Sequence, residues 1–297
     1  VQFGEVGVDD ALVLETKEEI FEMNNGCICC TVRGDLIRIL RKLTKRKNQF
    51  DAIIIETTGL ADPAPVAQTF FVDEDLMEHT RLDAILTVVD CKHLVQHLDD
   101  EKSEGTENEA VEQLAFADRI LLNKVDLVTP EEKAVVVGRI RKINAAAEVL
   151  ETTYSQVDLD HVLGIKAFDL SRILDSEPDF LNPDQEHEHD SSVTSVGIQI
   201  EGPCDFGRLN AWLGKLLKDK GADIFRSKGV LHVHGSDDRH VFQGVHMLLT
   251  FGNSGEGTGR PWGKDEPRLN RLVFIGRNLD RKELNDSFEK CLIAKAA

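Results

Sequence analysis

The sequence predicts an α/β protein with a mostly parallel sheet, followed by a smaller α+β domain. Three observations predict it. In the first half, short continuous apolar runs alternate with segments of helical periodicity, the pattern of strands covered on both faces by crossover helices. A polar stretch with prolines, several acids and His187-Glu188-His189 then interrupts that pattern. Beyond it, strands of period two and amphipathic helices mix without a regular order. These signals place a first domain over 1–176, a linker over 177–192 and a second domain over 193–297.

Each element has its own justification. Asp35 to Lys47 carries Leu36, Ile39, Leu40 and Leu43 at helical spacing, with a basic opposite face. Ala52-Ile53-Ile54-Ile55 is a short apolar run that reads as a buried strand. Pro63 to Phe71 fits a helix with proline near its start. Ala84 to Val89 reads as a strand ending at Asp90, and Asp99 to Glu109 as an exposed acidic loop. Val111 to Ala117 is helical, Arg119 to Leu122 a strand, and Pro130 to Asn144 a helix opened by Thr129-Pro130-Glu131-Glu132. Glu148 to Thr152 reads as a fourth strand. After the linker come a strand over Val193–Ile200, a helix over Phe206–Lys218 and strands over Gly229–Val233, Val245–Phe251 and Arg271–Ile275. A terminal helix is expected over Glu283–Ala294.

Composition limits the function. The chain has 297 residues, 41% of them apolar, enough to fill cores. Lys and Arg number 35 against 53 Asp and Glu, a net charge of −18. A chain this acidic lacks the basic face that phosphate neutralisation requires, so a nucleic-acid partner is not expected. Nor does it carry a basic membrane-surface helix or an apolar run of the roughly 20 residues that cross a bilayer, so no membrane partner is expected either. Six cysteines are too sparse for a disulfide scaffold and suit a reducing compartment, the cytoplasm. The chain opens on Val1 with no targeting signal to read.

Three constellations carry chemistry. Asn123-Lys124-Val125-Asp126 follows a strand directly, where parallel sheets bind ligands. A carboxylate there can accept two hydrogen bonds from the N1–H and N2–H₂ edge of guanine, and adenine offers no such pair. The lysine stem can lie over the base and the asparagine amide can brace neighbouring loops. A polar turn capping the next helix accounts for the spacing too. Glu56-Thr57-Thr58-Gly59 follows the Ala52–Ile55 run. An acid at a strand tip can hold a Mg²⁺-bound water or orient an attacking one, and a glycine N–H can sense a terminal phosphate. A capped strand-to-helix turn using Asp62 is the plainer alternative. Finally, Cys27, Cys29 and Cys30 place three thiols within four positions. They suit Zn²⁺ with one further ligand, and Cu⁺ or Co²⁺ as well, while a redox pair or structural thiols fit the spacing equally. His187/His189 reads as solvated linker, and His232/His234 as either a metal pair on one strand face or ordinary polar residues.

Taken together, Phe3–Asp9, Asn25–Leu36, Glu56–Val66, Gln113–Leu127, Arg226–Leu231, Phe242–His246, Trp262 and Arg271–Arg277 resemble the CobW-type P-loop GTPases over nearly the whole chain. This family includes the zinc-regulated GTPase metalloprotein activators. The resemblance implies a GTPase domain on a mostly parallel sheet and a smaller CobW C-terminal domain. It implies that Cys27, Cys29 and Cys30 carry the metal, usually zinc. It also implies that Glu56, with Gly59 beside it, belongs to the phosphate-sensing motif, and that Asn123, Lys124 and Asp126 read guanine. GTP, Mg²⁺ and Zn²⁺ are the small partners so implied, and a client metalloenzyme the protein partner; a homodimer is also open. The family's G-x-x-x-x-G-K-[ST] loop lies upstream of the position of Phe3, and this sequence contains no such loop. The chain is therefore expected to lack the P-loop and the first strand. Where the family reads N-E-F-G, this chain has Val1-Gln2-Phe3-Gly4, so Gln2 replaces an acid suited to metal.

The expected function is GTP-dependent delivery of a metal, zinc above others, to a client metalloenzyme. The alternatives are a metal-binding or buffering protein without GTP turnover, and an interaction module working through the C-terminal domain. With no phosphate cradle, residues 1–297 are expected to hydrolyse GTP no faster than a control, with or without added metal. Phosphate release from the purified chain checks this.

Overall fold

The leucines that predict the first helix are buried on one face of it. The structure is a computed structural model that describes residues 30–46, 51–57, 59, 61–100, 108–167, 193–253, 261–264 and 266–293. The chain divides into two compact units, Val1–Arg81 and Leu82–Ala297. In the first, α1 (Cys30–Thr44) packs Leu36 and Leu40 with Leu76 of α3 (Glu74–His79), and Val66 and Phe70 of α2 (Ala64–Val72) close the cluster. Asp73 joins these helices. Its Oδ1 accepts from Leu76 N–H at 3.1 Å as the α3 N-cap, and its Oδ2 accepts from Arg41 Nη2 at 2.8 Å. Burial alone raises the Asp73 carboxyl, but these donors outweigh it and hold it below the usual carboxylate value.

One strand expectation is corrected here. Ala52–Ile55 forms no strand, and Ile53 and Ile54 are 40% and 79% exposed. A strand needs a neighbouring backbone to take its N–H and C=O groups, and no described element pairs with this run. Ile55 alone packs on the helix cluster.

The second unit holds two sheets. The first is parallel, in the order β1 (Leu86–Asp90), β2 (Arg119–Asn123), β3 (Glu148–Glu151). Its central strand buries Ile120, Leu121 and Leu122 consecutively, as a strand covered on both faces must. The connections are α4 (Leu94–Leu98) with α5 (Glu109–Phe116), and α6 (Pro130–Ile143). Thr129 and Glu132 close the capping box that starts α6. Asn144 ends it: fully buried, it donates to the carbonyls of Leu114 and Ala117 and accepts from the N–H groups of Ala146 and Ala147. Helices α3 and α4 are too short to show a period in the sequence.

The second sheet is antiparallel, in the order β4-β8-β5-β6-β7. Its strands are β4 (Val193–Glu201), β5 (Ile224–His232), β6 (Arg239–Val245), β7 (Leu248–Gly252) and β8 (Leu269–Arg277). Helices α7 (Phe206–Lys220) and α8 (Arg281–Glu289) contribute Leu209, Leu213, Leu216, Leu284 and Phe288 to a core with Ile198, Phe242, Leu272 and Phe274. Trp212 joins it edge-on to Phe288, its indole N–H donating to Ser287 Oγ. The run expected as one strand over Val245–Phe251 is instead the end of β6, a turn, and β7. His246 makes that turn at φ 52°, without the Asn-Gly or Asp-Gly signal that announces such reversals. The strand expected over Gly229–Val233 begins at Ile224, and the last helix ends at Glu289, after which Leu292 bridges to Cys204.

One carboxylate stands at the junction of the two sheets of this unit. Asp118, at the foot of β2, has a side chain 1% exposed. Its Oδ1 accepts from Arg226 Nη2 at 2.8 Å and from Lys228 Nζ at 2.6 Å, both on β5. Its Oδ2 accepts from Ile85 N–H at 2.9 Å. Arg226 also donates to the Phe116 carbonyl, and Phe116 stacks on Phe225. Removing one partner from a buried ion pair leaves the others uncompensated, at a cost of about 3–5 kcal/mol. Asp118→Asn is therefore expected to lower unfolding stability by about that amount in a denaturant titration. A loss below about 1 kcal/mol contradicts this account.

Candidate functional site

The carboxyl ends of the parallel strands form the candidate site. Register sets Asp90, the last residue of β1, beside Asn123, the last of β2. The Asn123 carbonyl accepts from Cys91 N–H at 2.9 Å. Its side-chain amide turns the other way: Nδ2 donates to Ser155 Oγ at 3.0 Å, and Oδ1 accepts from Ser155 N–H at 2.9 Å and Thr152 Oγ1 at 3.2 Å. Thr152 N–H in turn bonds to the Leu122 carbonyl. One buried asparagine thus ties the segments that follow β1, β2 and β3. Tyr154 and Ser155 sit at φ 52° and 53° in the segment so held. Two consecutive left-handed non-glycine residues persist only where their surroundings over-determine them.

Lys124 follows with φ 61°, and Val125–Leu127 form one 3₁₀ turn that carries Asp126 outward. The Asp126 carboxylate is exposed and makes no hydrogen bond or ion pair among the described residues. Lys124 Nζ donates to Asp90 Oδ2 at 2.7 Å. Partial burial pushes the Asp90 carboxyl up, but the Lys124 ammonium, His93 and Lys92 N–H bring it down to about 2. Asn123, Lys124, Asp126 and Asp90 thus share one rim. Nothing in the sequence marks Asp90, because its contact with Lys124 spans 34 positions and leaves no local spacing signal.

The remaining expected residues belong to the other unit, to other parts of this one, or to the residues outside the described set. Glu56 and Gly59 are exposed in the Val1–Arg81 unit. Asp62 caps the turn into α2, its Oδ1 accepting from Ala64 N–H at 2.8 Å. Cys27 and Cys29 lie outside the described residues; Cys30 opens α1, and its side chain is likewise outside. His187 and His189 are outside too. Among the described residues, no three His, Cys, Asp or Glu side chains gather as a metal site. Of the two readings open for His232 and His234, the structure favours ordinary polar residues: β5 ends at His232, which stands edge-on to Trp262, and His234 lies on an exposed turn. Burial, then Arg268 and His234, lower the His232 pKa and favour its neutral ring.

The other thiols are sequestered. Cys91, Cys204 and Cys291 are free and buried. Burial pushes Cys204 up to about 12, aided by Cys291, and pushes Cys291 up to about 11. No described helix is long and apolar enough to cross a membrane.

An α/β fold whose strand ends carry Asn-Lys-x-Asp defines a nucleotide-binding class of protein. Comparison with known proteins narrows this. Residues 2–151 match the CobW/HypB/UreG nucleotide-binding domain, and residues 193–292 match the cobalamin synthesis protein cobW C-terminal domain. The zinc chaperone YjiA of Escherichia coli is 33% identical over 97% of this chain and 86% of its own length. The zinc-regulated GTPase metalloprotein activator 1 of Dictyostelium discoideum is 36% identical over 98% of this chain and 72% of its own. The crystal structure of Zn(II)-bound YjiA GTPase from E. coli superposes with a TM-score of 0.70 at 29% identity, covering 87% of this chain and 76% of that one. The chain belongs to the CobW family.

Alkylation requires thiolate, so raising a thiol pKa to about 11 or 12 suppresses reaction at ordinary pH. In native protein at about pH 8, Cys204 and Cys291 are expected to stay unmodified by iodoacetamide, and to react fully after denaturation. Peptide mass mapping checks both states.

Proposed function

We propose that this protein is a GTP-dependent zinc chaperone: it binds guanine nucleotide, carries Zn²⁺ as cargo, and passes the ion to a client metalloenzyme. The observation that carries the reading is the Asn123–Asp126 rim, with Asn123 braced by Thr152 and Ser155 and the Asp126 carboxylate left exposed. That carboxylate is chemically suited to the two donors on the guanine edge. Family membership, and relatives named as zinc chaperones and GTPase metalloprotein activators, support zinc as the cargo.

In this reading Asn123, Lys124 and Asp126 hold the base. Glu56 and Gly59 serve the phosphate end, where Mg²⁺ would neutralise charge between phosphate oxygens. Cys27, Cys29 and Cys30 hold the zinc. Their candidacy is strengthened by the other three cysteines, which are buried as neutral thiols and unavailable as ligands. Nucleotide state would drive transfer only by changing zinc affinity, since a ligand shifts an equilibrium by its differential affinity alone. The working division is a nucleotide domain over 1–176, a linker over 177–192 and a C-terminal domain over 193–297.

The test is zinc competition against a chromogenic chelator. Replacing Cys27, Cys29 and Cys30 together by serine is expected to weaken zinc binding by at least about a hundredfold, since even outer-shell changes cost tenfold or more. In a chain preceded by the family's G-x-x-x-x-G-K-[ST] loop, zinc affinity is expected to differ between GDP and a non-hydrolysable GTP analogue, and zinc release to an apo zinc enzyme to follow that difference. Unchanged affinity in the triple variant overturns the metal assignment. Nucleotide-independent affinity overturns the coupling.

A further inference from the structure

The rim holds one contact beyond the residues already assigned to base recognition. Asp90 is a built feature of the turn after β1. Its Oδ1 accepts from Lys92 N–H at 2.9 Å and His93 N–H at 3.2 Å, which fixes the plane of the carboxylate. Its Oδ2 then faces His93 Nδ1 at 3.0 Å and Lys124 Nζ at 2.7 Å. Asp90 is itself held beside Asn123 by the β1–β2 register and by the Cys91 N–H bond to the Asn123 carbonyl. The Lys124 side chain is anchored at both ends, by a left-handed backbone at φ 61° and by this carboxylate.

Between those anchors runs a four-carbon apolar stem, and the side chain remains 48% exposed. A free lysine would have to give up its rotamer freedom each time a base settled on it. A tethered one has already done so. An exposed ion pair between two mobile side chains contributes little. This pair differs because the carboxylate is oriented by backbone donors and the lysine by its own backbone.

We propose that Asp90 is a positioning residue for base recognition: it grips the Lys124 ammonium so that the lysine stem forms a fixed apolar surface on which the guanine ring lies. The inference rests on the reading of Asn123, Lys124 and Asp126 as the guanine site. Asp90 touches no ligand atom and acts only through Lys124.

The probe is guanosine, which carries the base without phosphates, titrated into the full chain and read by saturation-transfer NMR, with adenosine alongside. Four proteins are compared: wild type, Asp90→Asn, Lys124→Met and the double variant. Asparagine keeps an oxygen for the Lys92 and His93 N–H groups while removing the charge that grips Lys124. Asp90→Asn is expected to weaken guanosine binding about tenfold, the scale of ordering one long side chain. Lys124→Met is expected to weaken it, and the double variant to bind as Lys124→Met does. That non-additivity separates action through Lys124 from a general loosening of the turn, which adds to the lysine effect. Wild-type affinity for Asp90→Asn, or additive losses, overturns the inference while leaving the guanine site standing. Wild-type protein that fails to bind guanosine, or binds adenosine equally, overturns the guanine reading itself. Asp90→Ser, which retains an acceptor for the turn, gives a second reading of the same cycle.

Discussion

The unit from Leu82 onward is organised around one buried ion cluster centred on Asp118. Asp118 receives Arg226 and Lys228 from β5 and the Ile85 N–H from the segment leading into β1. Desolvating a carboxylate is expensive, and only near-complete coordination makes it tolerable. Here the Asp118 side chain accepts three donors, two of them from β5, so it fixes how the parallel and antiparallel sheets meet. Hydrophobic packing between Phe116 and Phe225 surrounds the cluster and tolerates small shifts. The ionic geometry does not. Docking of the two sheets is specific for electrostatic reasons and stable for hydrophobic ones.

Much of this architecture is legible in the sequence, for physical reasons that name individual residues. Leu36, Leu40 and Leu43 mark α1 because a helical period buries all three on one face, whereas a strand period puts Leu43 opposite the other two. Ile120 to Leu122 mark β2 because a consecutive apolar run suits a strand buried on two faces. Ala52–Ile55 carries the same signal and forms no strand, since apolar character gives a strand no partner. The β6–β7 reversal is hidden because His246 adopts a left-handed turn without glycine, asparagine or aspartate.

The site divides in the same way. Asn123, Lys124 and Asp126 stand in one tetrapeptide after a strand, and local order suffices to find them. The bracing role of the Asn123 amide is readable in outline, and the structure supplies its partners, Thr152 and Ser155. Asp90, Asp118, Arg226 and Lys228 are invisible to spacing, because each pairs with residues dozens of positions away. Long-range polar pairing leaves no periodic trace, and those pairs are what fix the rim and the junction.

The Asn123 brace has a consequence for the kind of recognition this rim supports. Three chain segments meet at one asparagine, the segment after β1 through its main-chain carbonyl and the segment after β3 through its side-chain amide. Under the proposed guanine reading, a base that enters finds these segments already held and does not have to assemble them. Its binding is then governed by complementarity and desolvation, with little loop closure to slow arrival or to blur selectivity. Under that reading, discrimination at the rim is written into the folded state before any ligand arrives.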